Sequence, residues 1–285
     1  MKVLAFILLL VILIYILISR KKKPQTIRYT FPKPSVVHQT VEHSSFFQRL
    51  SKDDLSARNV SSIELYLQRY KKSISPLSSI EKKTIEEMLY QIEKRLKDQQ
   101  EVKIAQALLN SEWSIAKHND PMVEGGYPHT LGRIVFLPAS FFESVNTNLE
   151  ARRQTLLHEQ IHVLQRQNPE VATDFVNTYF SAPRKHRSEF EKKVSLRLNP
   201  DLDDYIYGFP SQGKIHYLAQ IYITTNPKSL SQSKPVLLIE PSSSQVLSQK
   251  TEALLSSVEQ IEHPYEVMAC HYSEKLLSSE IKSKI

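Results

Sequence analysis

The stretch Thr155-Leu156-Leu157-His158-Glu159-Gln160-Ile161-His162-Val163-Leu164 narrows the folds open to this chain more than any other. It places H-E-x-x-H inside a segment with helical periodicity. Positions i and i+4 of a helix share a face, so His158 and His162 can aim two imidazoles at one point. Glu159 projects roughly a quarter turn away, close enough to hold a metal-bound water without ligating the metal. This is the spacing a catalytic zinc uses. The flanks support a helix. Thr147 and Glu150 form a T-x-x-E capping box, and Asn168-Pro169 is a stop. Leu149, Leu156, Leu157, Ile161 and Leu164 are available for packing. The plainer alternative is an amphipathic helix with two solvated histidines.

A catalytic zinc takes three protein ligands and one water, so the rest of the chain must supply a third. The extension H-E-x-x-H-x-x-G-x-x-H fails, because Gln165 and Asn168 stand where it needs glycine and histidine. About 20 residues beyond His162 the nearest carboxylate is Glu189, beside His186. A later stretch fits better. In Glu262-His263-Pro264-Tyr265-Glu266-Val267-Met268-Ala269-Cys270-His271, His263 suits an N-cap and Pro264 the first helical position. Glu266, Ala269, Cys270 and Ser273 then share one face, and small residues beside a carboxylate let two helices approach closely. Glu266 is the expected third ligand, with Glu189, Glu262 and Glu274 as alternatives. Cys270 reads as a small packing residue.

His158-Glu-x-x-His162 followed by a helical Glu resembles the gluzincin side of the zincin metallopeptidases. Together with Glu124-Gly125-Gly126-Tyr127-Pro128-His129-Thr130 and His263-Pro264-Tyr265-Glu266-Val267, it also resembles uncharacterised zincin-like proteins of large DNA viruses. The likeness covers roughly residues 113–277. It implies an α+β, zincin-like domain of helices and a small mixed sheet, binding one Zn²⁺ per chain and hydrolysing peptide bonds. His158, His162 and Glu266 would hold the metal, and Glu159 would be the general base that takes a proton from the attacking water. His129 is expected near the cleft. Tyr265, His271, Tyr272 and His216 are candidates to stabilise the oxyanion, and the sequence does not choose among them. The rival reading is a non-catalytic, membrane-anchored structural or interaction protein that keeps a zinc site.

Val3–Ile18 is an unbroken apolar run followed by Arg20-Lys21-Lys22-Lys23. Sixteen residues at ~1.5 Å each reach about 24 Å, short of a ~30 Å hydrocarbon core, and a span stays feasible because Lys2 can snorkel and Ser19 sits at the interface. No A-x-A cleavage site follows, so a retained single-pass transmembrane helix is expected over a cleaved leader. The basic cluster keeps the soluble part on the cytosolic or virion-interior side, and lipid is the expected partner of residues 3–19 and of Arg20–Lys23. The net charge of +7 comes mostly from this end. Residues 1–23 hold five of the 37 basic residues and no acids, leaving 32 against 30, or +2, elsewhere. The global charge gives nucleic-acid binding no support. With one cysteine, Cys270, an intramolecular disulfide is excluded.

The expected organisation is an anchor over residues 1–19, a basic stop and polar tether over 20–60, a helical region over 61–118, the zinc-binding domain over 119–277 and a tail over 278–285. The tether carries one short helix at Ser45–Leu50. Helices are expected near Ser62–Tyr70, over Ser78–Lys97 with Ile80, Ile85, Met88, Leu89, Ile92 and Leu96 as its stripe, and over Lys103–Ala116 with Trp113. They are read as packing on the catalytic core. Gly132–Pro138 contains a buried-type strand, and Val171–Phe180 a helix. Ser181–Lys193 is a basic, solvated run. Strands follow at Tyr205–Phe209, His216–Thr224 and Val236–Ile239, then a Ser-rich loop from Pro241 to Gln249.

Overall fold

A computed structural model describes residues 27–99, 101–143, 148–180, 184–211, 214–241 and 263–278. The expected anchor, the Arg20–Lys23 cluster, Thr147, Glu262, most of the Ser-rich loop and the tail beyond Ser278 lie outside these residues. Among the described residues no helix is long and apolar enough to cross a membrane.

The chain is a mixed α+β fold. Its larger sheet has the order β1 (Arg28–Thr30), β3 (Glu112–His118), β5 (Ile134–Pro138), β4 (His129–Leu131), with β2 (Ile74–Ser75) also on β3. β1 and β5 run parallel to β3, whereas β4 and β2 are antiparallel to their neighbours. Strand alternation decides what each face covers. Trp113, Ile115, Val135 and Leu137 face one core, and Ala116, Ile134 and Phe136 face another. The first face is covered by α4 (Ser79–Asp98), α5 (Lys103–Asn110), the short α6 (Ser140–Glu143), α7 (Leu149–Gln167), α8 (Pro169–Tyr179) and α10 (Pro264–Leu277). The second is covered by α1 (Pro34–Glu42), α3 (Ile63–Ser73) and a one-turn helix carrying Phe47. β6 (Lys185–His186) pairs with β7 (Tyr205–Ile206) on either side of the short α9 (Ser188–Glu191), and a second, antiparallel sheet has the order β10 (Ser233–Pro241), β9 (Lys214–Tyr222), β8 (Gly208–Ser211).

Several expectations need correction. Residues 27–60 are not a tether. β1 pairs with β3, α1 and α2 (Lys52–Ala57) pack down, and Val37, Val41, Phe46 and Phe47 are buried. Their apolar residues are too sparse to reveal a period, yet each finds a core. The helix through Ala116 stops at Asn110. Ser111 caps it, and Trp113 opens strand β3 instead, because Trp113 and Ile115 alternate inward. No boundary falls at 118/119, since β3 shares a sheet with β4 and β5. The expected packing of the helices on the core does hold, although Ile80 is exposed rather than part of the buried stripe. The N-cap of α7 is Asn148, whose side chain accepts from the Glu150 N–H. Asn168 ends α7, and Pro169 opens α8.

One buried polar hub ties the amino-terminal helices to the glycine loop. The Arg58 side chain is fully buried and grips both oxygens of Glu124 at 2.9 and 2.6 Å. It also donates to Leu198 O, while Tyr66 donates to Glu124 Oε1 at 2.6 Å. Glu124, Gly125 and Gly126 all have positive φ. The ion pair compensates for holding a non-glycine residue in the left-handed region.

Candidate metal centre

α7 and α10 cross with their small and polar faces together. Three groups from them converge. His158 Nε2 and His162 Nε2 lie 3.1 Å apart, and Glu266 Oε2 is 3.2 Å from the first and 3.3 Å from the second. These are the edges of a tetrahedron whose centre stands ~2.0 Å from each atom, which is the Zn–N and Zn–O distance. Three lone pairs aimed at one point repel one another unless a proton or a cation sits between them. The donor set therefore fits a small divalent cation. Glu266 stands where the residue pattern predicted a third ligand. Glu189 turns back to the His186 N–H, and Glu274 is exposed at the rim of the cleft.

Each of the three is held by a neighbour. Gln165 lies one turn beyond His162. Its Oε1 is 2.9 Å from His162 Nδ1, and its Nε2 donates to Tyr265 O at 2.9 Å. An amide oxygen only accepts, so Nδ1 carries a proton; without a cation Nε2 is protonated as well and donates to Glu266, and a cation would take the place of that second proton. Asn199 donates to the other oxygen of Glu266 at 2.9 Å. Cys270 Sγ lies 3.8 Å from His158 Nδ1, so this cysteine borders the site as well as packing. Asn199 and Gln165 escaped the sequence reading. Asn199-Pro200-Asp201 reads as a chain break, and Gln165 only as a missing glycine. The i+3 spacing of Gln165 from His162 was the available signal.

Electrostatics favour a cation here. Burial would raise the Glu266 carboxyl, but the His162 charge and hydrogen bonds from both histidines hold it well below the usual carboxylate range. Burial would lower the His162 imidazole, yet the Glu266 and Asp201 carboxylates outweigh that and carry it up to about 10. Glu159 is buried, and its Oε2 has no hydrogen-bond partner among the described residues. Burial, with Asp201 nearby, pushes its carboxyl well above the usual range. A buried acceptor without a donor is costly, and a water on the cation would satisfy it.

The cluster opens into a cleft of about 630 Å³. Glu124, Tyr127, Gln154, Thr155, Asn199 and Asp201 are among its walls, with Gln220, Ser233 and Pro235 of the second sheet. His129 lines it as expected, but both ring nitrogens are engaged. Nδ1 donates to Tyr127 O at 3.0 Å, and Nε2 accepts from the Tyr70 hydroxyl at 2.5 Å. It is a structural residue. The four oxyanion candidates are not among the cleft-lining residues. The Tyr265 ring packs on His263 and Tyr207. His271 and Tyr272 contact Phe175 on α8. At ~100° per residue they lie about 140° and 240° around α10 from Glu266. His216 stacks on Phe209. No family model matches this sequence, and no curated protein or solved structure matches it.

Proposed function

We propose that this chain is a membrane-tethered zinc endopeptidase of zincin-like fold. The observation that carries the reading is the convergence of His158 Nε2, His162 Nε2 and Glu266 Oε2 at tetrahedral-edge spacing, with Glu159 buried beside them. The antiparallel edge strand β4 beside α7 is consistent with a zincin-like sheet. The tether rests on the Val3–Ile18 run and the basic cluster after it. His158, His162 and Glu266 would hold the zinc. When bound, zinc supplies a Lewis acid that lowers the pKa of its water from ~15.7 toward ~7 and polarises the scissile carbonyl. Glu159 takes a proton from the attacking water and returns it to the leaving amine. Its burial, which raises its basicity, suits it to the first step and leaves it a competent acid for the second. Gln165 and Asn199 keep His162 and Glu266 oriented.

Metal analysis tests this directly. Wild-type chain purified without chelators should carry one zinc, and His158→Ala or His162→Ala should carry none. Glu159→Gln should keep the zinc and lose hydrolysis. Wild-type protein without stoichiometric metal would overturn the reading.

A further inference from the structure

Two strand edges border the cleft, and they differ. At β4 the Thr130 N–H is already donated to Asp201 Oδ1 at 2.7 Å, and Arg166 covers the same edge by bonding Gly132 O and the Thr130 hydroxyl. β10 is the outer strand of the second sheet, and β9 is its one partner among the described residues. The ladder shows which of its groups face outward. Ile223 N–H donates to Gln232 O at 3.0 Å and Leu218 N–H to Tyr207 O at 3.1 Å. Odd-numbered residues of β9 therefore bond toward β10, and even-numbered ones toward β8. Their opposites in β10 are Lys234, Val236, Leu238 and Glu240. The N–H groups of Ser233, Leu237 and Ile239 consequently point away from the sheet. Pro235 and Pro241, in the same register, have none.

The side chains tell the same story. Residues directly opposite one another share a face, which pairs Pro235 with Gln220 and Leu237 with Leu218. Pro235 and Gln220 line the cleft, and Leu218 belongs to the main core. On that face, beyond the covered part, Leu237 is 47% and Ile239 53% exposed. Ser233, Pro235, Leu237 and Ile239 thus form a strip running ~20 Å outward from the cleft rim, at ~3.4 Å per residue.

We propose that β10 is a docking strand for substrate. An extended polypeptide segment with apolar residues at alternate positions adds to its outer edge, and its chain continues into the cleft. The occupant follows from continuity, since the strip begins among residues that share the cleft with His158 and Glu159. It also follows from chemistry. Outward backbone donors flanked by apolar side chains two residues apart are complementary to another strand. A second copy of this chain fits less well, because prolines would interrupt the donor row on both strands. The inference rests on the peptidase reading for the identity of the occupant.

The test uses full-length chain carrying Glu159→Gln, with fluorescein-labelled, reduced and carboxymethylated α-lactalbumin as an unfolded probe. Fluorescence anisotropy reads binding, and light scattering reads mass. The protein should bind the probe as a monomer. Leu237→Thr with Ile239→Thr should weaken binding about tenfold or more. Leu237→Pro should weaken it too, while sparing the β9 ladder because the lost N–H points outward. The proposal is overturned by absence of binding, by unchanged affinity in both variants, or by a dimer that the variants dissolve. Zinc content and cleavage of the same probe by wild-type chain are measured alongside. Binding without zinc or cleavage would remove the peptidase reading and leave the docking strand in place.

Discussion

Removing the amide of Gln165 probes the centre without touching a proposed ligand. The side chain is buried and makes two hydrogen bonds of 2.9 Å, one to His162 Nδ1 and one to the backbone carbonyl just before Glu266. It therefore sets the His162 tautomer and ties α7 to α10 at the same point. Gln165→Leu keeps the volume and leaves the buried His162 Nδ1–H unpaired, while Tyr265 O stays in the backbone ladder of α10 and loses only its second partner. An unpaired buried donor costs about 1–3 kcal/mol, so a loss of that size is expected. Outer partners of metal-binding histidines are worth roughly 10–100-fold in affinity, or about 1.4–2.7 kcal/mol. Gln165→Glu keeps the acceptor for His162 but sets a carboxylate against Tyr265 O. It should recover most of the zinc affinity and little of the stability. Competition with a chromophoric chelator measures the first quantity, and urea unfolding of the metal-free chain measures the second. Zinc affinity of Gln165→Leu within twofold of wild type would refute the argument, as would a Gln165→Glu variant as weak as Gln165→Leu.

Glu266→Gln should weaken zinc binding by at least as much as Gln165→Leu, while Glu189→Gln, which only exchanges the acceptor of the His186 N–H, should leave it unchanged in the same competition assay. Arg58→Met leaves Glu124 and Asp54 buried without their cation and should cost about 3–5 kcal/mol in urea unfolding; a loss below 1 kcal/mol would mean that the hub relaxes freely. His118 is buried with its Nε2 unpartnered; burial, reinforced by His129, lowers its pKa to about 3. The unfolded chain then takes up a proton near pH ~6.5 that the folded chain refuses, so this contribution to stability is complete above pH ~6.5 and falls as pH drops toward 3. By pH 4.5 the loss from this group is about 2.7 kcal/mol, and His118→Asn should show a correspondingly shallower decline between pH 7.5 and 4.5.

Regular, capped elements were legible in the sequence, and so was the centre of the site. His158 and His162 sit at i, i+4 on a helix closed by Asn168-Pro169, and Glu266 follows an N-cap and a Pro at the first helical position. Such signals are local, and local chemistry is enough to read them. Trp113 was misplaced because Lys103–Asn110 is helical and nothing between it and Trp113 is a strong breaker; only the sheet decides that Glu112–His118 is extended. The amino-terminal elements were missed for the same reason. β1 has three residues and becomes a strand by pairing with β3, a partner over 80 residues away. Two oxyanion candidates, His271 and Tyr272, failed on helix phase, since a residue five or six positions from Glu266 leaves its face, whereas Tyr265 and His216 are taken up in ring packing on His263 and Phe209.

The segment between the two halves of the candidate metal centre shows why these distant parts belong together. Its described residues build one wall of the cleft and hold it to both neighbours. Asn199 holds Glu266, while Asp201 holds the Thr130 N–H and accepts Arg166 from α7 on its backbone carbonyl. Leu198 O accepts from Arg58, which also grips the glycine loop through Glu124. Residues 198–201 therefore join the amino-terminal hub, the edge strand, the histidine helix and the Glu266 helix within four positions. A shift of this loop would disturb the Glu266 carboxylate and the cleft wall together. The long sequence separation of the third proposed ligand is thus not slack to be looped out, because the intervening chain supplies the contacts that fix it.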